Sequence, residues 1–338
     1  MEKTGETKAN LAARDVERDS GRDSGRDLGP HSPAAAGAQA ARGAKMGGWL
    51  LLAALLGGNF ALALGAPLAR LADTGPVSAA FWRMFLALPV LIVFARMGQQ
   101  KLLGMPRKTL VLVAIASIAF AADMASFNAG AHLTRMGNVT LFANIGSLIL
   151  MVWGFVAARM LPGRYEWIAI VCALVGSALL LGQSFEIAFG NAVGDMLGIF
   201  AGVSYAVYLL TLQSERSRFG SWSLLVWVSV FASPFLLALA LALGEPVWPT
   251  NWWPIIALCI FGQLIGQGLI VYSLGHFPPL IIGLALLTQP AIAAGIGYVW
   301  FGEFLGVFDV IGMTLLGSAL VVARVAQSKP ATPAKAGV

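Results

Sequence analysis

Of the 338 residues, 58% are hydrophobic and 11% are charged. That is more apolar surface than one soluble core can hide from water, so the composition excludes an ordinary soluble domain and makes lipid the solvent. The net charge of +6 does not point to nucleic acid, because the basic residues are spread over short connections and form no single stripe.

Residues 1–45 are rich in Gly, Ala and alternating charge, repeat Ser20-Gly21-Arg22-Asp23 as Ser24-Gly25-Arg26-Asp27, and carry no apolar period. They read as a disordered cytoplasmic tail, without the apolar centre of a cleaved signal. Apolar segments of the length a helix needs to cross a bilayer follow. Ten are expected, at 47–67, 77–96, 108–131, 137–158, 165–184, 192–212, 221–243, 252–274, 279–300 and 307–326, before a short cytoplasmic tail at 327–338. The predicted fold class is an all-α membrane protein.

With the amino terminus inside, Arg96, Lys101, Arg107, Lys108, Arg159, Arg164, Arg216, Arg218, Arg324, Lys329 and Lys335 all fall on the cytoplasmic side, and only Arg70 and Arg135 fall outside. This bias predicts an even number of crossings with both termini in the cytoplasm. Trp49, Trp248, Trp252 and Trp253 suit an interfacial belt. Cys172 and Cys259 each sit within an apolar run and suggest neither a metal cluster nor a disulfide framework.

The second half of the chain resembles the first at an offset of 141 to 145 residues. Gly57-Gly58-Asn59-Phe60-Ala61 lies opposite Gly202-Val203-Ser204-Tyr205-Ala206, Trp82 opposite Trp227, Pro89 opposite Pro234 and His132 opposite His276. Leu174-Val175-Gly176-Ser177-Ala178-Leu179 matches Leu315-Leu316-Gly317-Ser318-Ala319-Leu320. The repeats are placed at 46–184 and 191–326. Five crossings per copy force the second to enter from the opposite face, and inverted repeats can build two similar states, open to either side of a central site.

Gly57-Gly58-Asn59-Phe60, Arg83, Pro290 with Glu303, and Gly312 with Leu316-Gly317 and Ala319 resemble the ten-helix drug/metabolite transporters of the EamA type. The resemblance covers about residues 47–326. It implies a bacterial inner-membrane secondary carrier, commonly an exporter of amino acids or related metabolites, and gives Glu303 a possible gating role. The first repeat carries Arg159 opposite Glu303, so a symmetric acidic pair is absent.

Charges inside apolar spans are costly and therefore functional candidates. Asp123 is expected to bind a cationic group or a proton, and Arg83 to attract a carboxylate or gate the path; the structural alternative is that the two, or Arg83 and a cluster of carbonyls, neutralise one another between packed helices. Repeat symmetry sets Gln267 opposite Asp123, with Gln263 one helical turn before it on the same face. Gly262 and Gly266 beside them would equally serve close helix packing. Asn128, Tyr272, Asn59, Tyr205, Asn144 and Gln289 complete the candidate substrate or proton pathway. Pro290, beside Gln289, is the expected mobile element. His132 and His276 have no third ligand at metal-binding spacing. No metal or cofactor is expected.

The leading reading is secondary transport, as exporter or exchanger, of a small amphipathic metabolite, with the bilayer as solvent and protons as a possible coupling ion. The phosphate-binding pattern of an ATP-driven pump is missing. The alternatives are a membrane-embedded enzyme acting on a lipid-like substrate, against which Asp123 stands as the lone mid-span acid, or a partner subunit that transports nothing.

Overall fold

A computed structural model describes residues 33–134, 136–159, 162–182, 192–216, 218–301 and 304–328. The first described helix, Pro33–Ala63, begins earlier than the expected span. The described chain divides between Leu50 and Leu51, and the account below concerns the part that follows.

Among the described residues, nine segments are long and apolar enough to cross a membrane. Spans 1 to 9 are Gly48–Ala69, Pro76–Met97, Arg107–Gly130, Asn138–Ala158, Arg164–Gly182, Ala192–Arg216, Ser221–Ala242, Trp253–Leu274 and Pro279–Ile296. Span 10 is the helix Val307–Ser328, whose shorter apolar stretch is Val307–Ala323. Among the described residues, nine of the ten expected crossings are thus matched by long apolar segments and the tenth by a shorter apolar helix, and the fold is all-α, built as two inverted five-helix repeats.

The packing obeys the repeat. Span 2 pairs with span 7, span 4 with span 9 and span 5 with span 10, while spans 3 and 6 pack together as spans 8 and 1 do. Small residues allow these approaches. A Cβ on either Gly176 or Gly312 would stand 2.8 Å from the carbonyl oxygen of the other, so spans 5 and 10 meet backbone to backbone.

Two matched clamps join the repeats at opposite ends of spans 2 and 7. At the start of span 2, the Glu245 carboxylate accepts the Ser78 amide (2.8 Å) and the Val77 amide (3.3 Å), and Trp82 Nε1 donates to the Val247 carbonyl (2.7 Å). At the start of span 7, Gln100 Oε1 accepts the Ser223 amide (3.0 Å), and Trp227 Nε1 donates to the Leu102 carbonyl (2.9 Å). Each helix thus has orphan amides capped by a side chain of the other repeat. Gly75 and Gly220, the two N-cap residues, have no room for a Cβ beside Glu245 and Gln100.

Spans 4 and 9 break at matching places. Span 4 divides at Asn144, between helices Met136–Ala143 and Ile145–Ala158; span 9 divides at Leu287–Thr288, between Pro279–Leu286 and Gln289–Phe301. Pro290 lacks the amide that would bond the carbonyl four residues earlier. Span 1 also bends, at Leu64, whereas span 6 continues as one helix through the equivalent position. In span 8 the stretch Leu258–Gln267 is a π-helix, a geometry that recurs at functional sites and that amphipathic periodicity does not reveal.

Candidate functional site

These breaks surround a cavity of about 360 Å³. Its walls come from the start of span 2 (Pro76, Ala79, Ala80, Arg83), the later part of span 3 (Phe120, Asp123, Met124, Phe127, Asn128) and the start of span 4 (Thr140, Ala143, Asn144, Ser147). Gly202 and Tyr205 of span 6, Leu258 and Gln267 of span 8, and Leu286, Gln289, Pro290 and Ala293 of span 9 complete them with the end of span 1. The cavity therefore lies toward the end of the bundle that carries the connections between spans 1 and 2 and between spans 3 and 4.

The opposite end is packed shut. A Cβ on Gly154 of span 4 would stand 3.1 Å from the Leu280 amide nitrogen of span 9, and one on Gly283 would stand 2.7 Å from the Ser147 carbonyl oxygen. Span 6 meets span 4 closely at the cavity wall, where a Cβ on Gly202 would fall 2.3 Å from the Ala143 carbonyl oxygen.

Aromatic rings form one side of the site. Phe120 stacks on the fully buried Tyr208 with centroids 4.3 Å apart, and Tyr205 lies against both. Tyr208 donates its hydroxyl to Gln267 Oε1 (3.1 Å), which turns the Gln267 amide nitrogen toward the Tyr205 hydroxyl (3.5 Å). A neutral polar patch is thus held rigid beside apolar walls.

Arg83 and Asp123 bring a guanidinium and a carboxyl group to the same cavity. Arg83 Nη2 donates to the Gly262 carbonyl in the π-helix (3.3 Å), its guanidinium stands 6.0 Å from the Phe120 ring centre, and its Nε is buried without a partner. Gly262 allows this approach, because a Cβ would stand 3.0 Å from that Nε. Asp123 follows Phe120 by three residues and so shares its helix face. The Arg83 Nε donor without a partner leaves capacity for a ligand.

Eight of the predicted pathway and hinge residues meet here: Asp123, Arg83, Gln267, Asn128, Tyr205, Asn144, Gln289 and Pro290. Asn144 Nδ2 also donates to Ser177 Oγ (3.2 Å). Three lie elsewhere. Gln263 is fully buried against span 7, its Nε2 3.5 Å from Ser229 Oγ; the wider turn of the π-helix changes its angle to Gln267, so the two amides do not share the cavity face. Asn59 stands behind the wall, its Nδ2 bonded to the Ala285 carbonyl (2.5 Å) and Thr288 Oγ1 (2.8 Å) at the span 9 break. Tyr272 is 39% exposed with its ring on His276, because five residues at helical pitch turn it about 140° away from Gln267. Glu303 and Arg135 lie outside the described residues.

Sequence reading missed Phe120, Met124, Thr140, Ser147 and Leu286, all of which line the cavity. Thr140 and Ser147 were findable, since they flank Asn144 at i−4 and i+3 on one helix face.

Residues 48–182 and 192–324 each match the EamA-like transporter family. The threonine/homoserine exporter RhtA of Salmonella typhimurium is 25% identical over 170 residues, 48% of this chain and 58% of the exporter. The Escherichia coli threonine/homoserine exporter RhtA is 25% identical over 174 residues, covering 50% of the chain and 58% of the exporter. The chain thus spans less than two thirds of the length of these relatives. An uncharacterized transporter of Archaeoglobus fulgidus is 22% identical over 247 residues, 73% of this chain and 86% of that protein. A solved structure, titled only as the crystal structure of a protein, superposes with a TM-score of 0.69 at 18% identity over 83% of this chain and 97% of its own, a likeness of fold. With both halves matched, this multi-pass membrane protein belongs to the EamA-like transporter family, in the drug/metabolite transporter superfamily.

Proposed function

We propose that the protein is a secondary carrier that exports or exchanges small zwitterionic metabolites, amino acids foremost, by alternating access between its inverted repeats. The observation that carries this reading is a cavity open toward one end, sealed at the other, that contains an incompletely bonded guanidinium and a carboxylate. Arg83 would take a substrate carboxylate through its planar fork of donors. Asp123 would take the ammonium group or, between substrates, a coupling proton. The Phe120, Met124 and Phe127 walls would accept an apolar body, and Gln267 and Asn144 would orient it. Threonine and homoserine, printed in the names of the RhtA relatives, have this zwitterionic head.

Orientation follows from charge. Arg96, Lys101, Arg107, Lys108, Arg159 and Arg164 belong to the sealed end of the bundle, so the positive-inside bias makes that end cytoplasmic and the cavity outward-facing. The proposed setting is a bacterial inner membrane with both termini in the cytoplasm.

The test is uptake of radiolabelled amino acids into liposomes containing the purified protein, with and without an imposed pH gradient. Saturable flux that responds to the gradient is expected. Absence of flux for every zwitterion tried, while the protein remains folded, would reject the reading.

A further inference from the structure

Span 6 ends in a polar latch outside the cavity. Gln213 Nε2 donates to the carbonyls of Phe277 (2.9 Å) and Leu274 (3.3 Å), and Arg216 Nε donates to that of Val271 (3.2 Å). Arg216 Nη1 also holds the Phe219 carbonyl (3.2 Å), and its guanidinium lies 6.0 Å from the Tyr272 ring centre. The three span 8 acceptors sit at its C-terminal end and in the turn after it, where a helix leaves its last carbonyls without intrahelical donors and favours a cation. The approach is close: a Cβ on Gly275 would stand 3.1 Å from Arg216 Cγ.

The repeat makes this latch one-sided. In the register that sets Asn59 opposite Ser204, Gln213 corresponds to Leu68 and Arg216 to Leu71; in the register that sets Asp123 opposite Gln267, the latched carbonyls correspond to those of Phe127, Gly130 and Leu133 in span 3. Leu68 and Leu71 have no side-chain donor. They lie on the segment Gly65–Leu71, beyond the bend at Leu64, and this outer end of span 1 packs against span 8 at Trp253–Ala257 and at the π-helix. Span 6 has no such bend and reaches its carbonyl partners directly.

We infer that Gln213 and Arg216 are positioning residues of the transport cycle: they hold the sealed end shut, must release the span 8 carbonyls before the cavity can open there, and make the outward-facing conformer the resting one. The inference rests on the alternating-access reading above. It makes the gates unequal at one matched pair of positions, where span 6 carries Gln213 and Arg216 and span 1 carries Leu68 and Leu71.

Repeat symmetry supplies the reporters. Thr140 lines the present cavity, and its counterpart Leu284 is 1% exposed in the sealed half. After Cys172 and Cys259 are replaced by Ser, single Thr140→Cys and Leu284→Cys proteins are labelled in liposomes with a membrane-impermeant thiol reagent. Gln213→Met combined with Arg216→Met should raise the labelling rate of Leu284→Cys by about tenfold, the effect of losing roughly one net hydrogen bond, and lower that of Thr140→Cys. Arg216→Lys, which keeps the cation at the helix end, should restore most of the difference. The reciprocal variant, Leu68→Gln with Leu71→Arg, should slow Thr140→Cys labelling in an otherwise native latch, so the idea stays testable if the first variant does not fold. Unchanged labelling of both reporters in a folded latch variant, or faster labelling of Thr140→Cys in the reciprocal one, overturns the latch. If saturating substrate moves neither reporter in the parent protein, the carrier reading itself has failed, a distinct result.

Discussion

Replacing Arg83 by Gln removes the one guanidinium that lines the cavity among the described residues, while preserving most of the side-chain length. Its present anchoring is thin: one 3.3 Å bond to the Gly262 carbonyl and a buried Nε with no partner. Little fold stability is therefore invested in its hydrogen bonds. A bound carboxylate would gain a charge-assisted, two-pronged contact worth about 2–3 kcal/mol, so Arg83→Gln should raise the apparent KM of a zwitterionic substrate about 30- to 150-fold. Arg83→Lys, with a point charge but no planar fork, should fall between. The assay is initial-rate uptake into liposomes for an amino acid and for the amine that lacks its carboxylate. Only the amino acid should lose affinity, and the melting temperature in detergent should change little. Equal KM values in parent and Arg83→Gln, or equal losses for amino acid and amine, would refute carboxylate recognition by this residue.

Asp123→Asn should insert and fold normally but remove the dependence of transport on pH, measured as flux against pH in liposomes; a retained pH profile would assign coupling to another group. Gly202→Ala should destabilise the protein by about 1–3 kcal/mol through overpacking, since its Cβ would fall 2.3 Å from the Ala143 carbonyl oxygen. Gly65→Ala, with nothing within 4 Å, is the control, and detergent melting curves compare the two. Asp73, in the connection between spans 1 and 2, accepts the Thr250 hydroxyl and the amides of Thr250 and Asn251 (2.9 and 3.0 Å). The Thr250 hydroxyl first, then the amides, hold its carboxyl below the ordinary 3.8. A lowered pKa stabilises the fold above the ordinary value and loses that contribution as pH falls through the folded value. Asp73→Asn should therefore melt below the parent at neutral pH, with the curves converging below pH 3.8; a gap that widens in acid would contradict the sign.

Much of the fold was legible because hydrophobic length and the repeat are both written in residue order. The pairing of Trp82 with Trp227, noticed as a match between two rare residues, became two equivalent bonds from each repeat to a carbonyl of the other. Asp123 and Arg83 were legible because an ion in a span is costly enough to need a reason. Gln263, Tyr272 and Asn59 were misplaced for physical reasons that no side-chain pattern carries. The π-helix changed the angle between the two glutamines, and the turn between Gln267 and Tyr272 carried the tyrosine to another face. Asn59 was drawn to the carbonyl and hydroxyl at the span 9 break. The contacts of Gln213 and Arg216 were not legible because their partners are backbone carbonyls, which sequence shows only as the end of a helix.

The carrier mechanism is tested most directly by counterflow. Liposomes loaded with an unlabelled amino acid and diluted into a trace of the labelled one should accumulate label transiently above equilibrium, and Arg83→Gln should abolish that overshoot at the same concentrations. Label that only equilibrates, at a rate indifferent to the internal load, would mean that the cavity does not alternate between the two faces of the membrane.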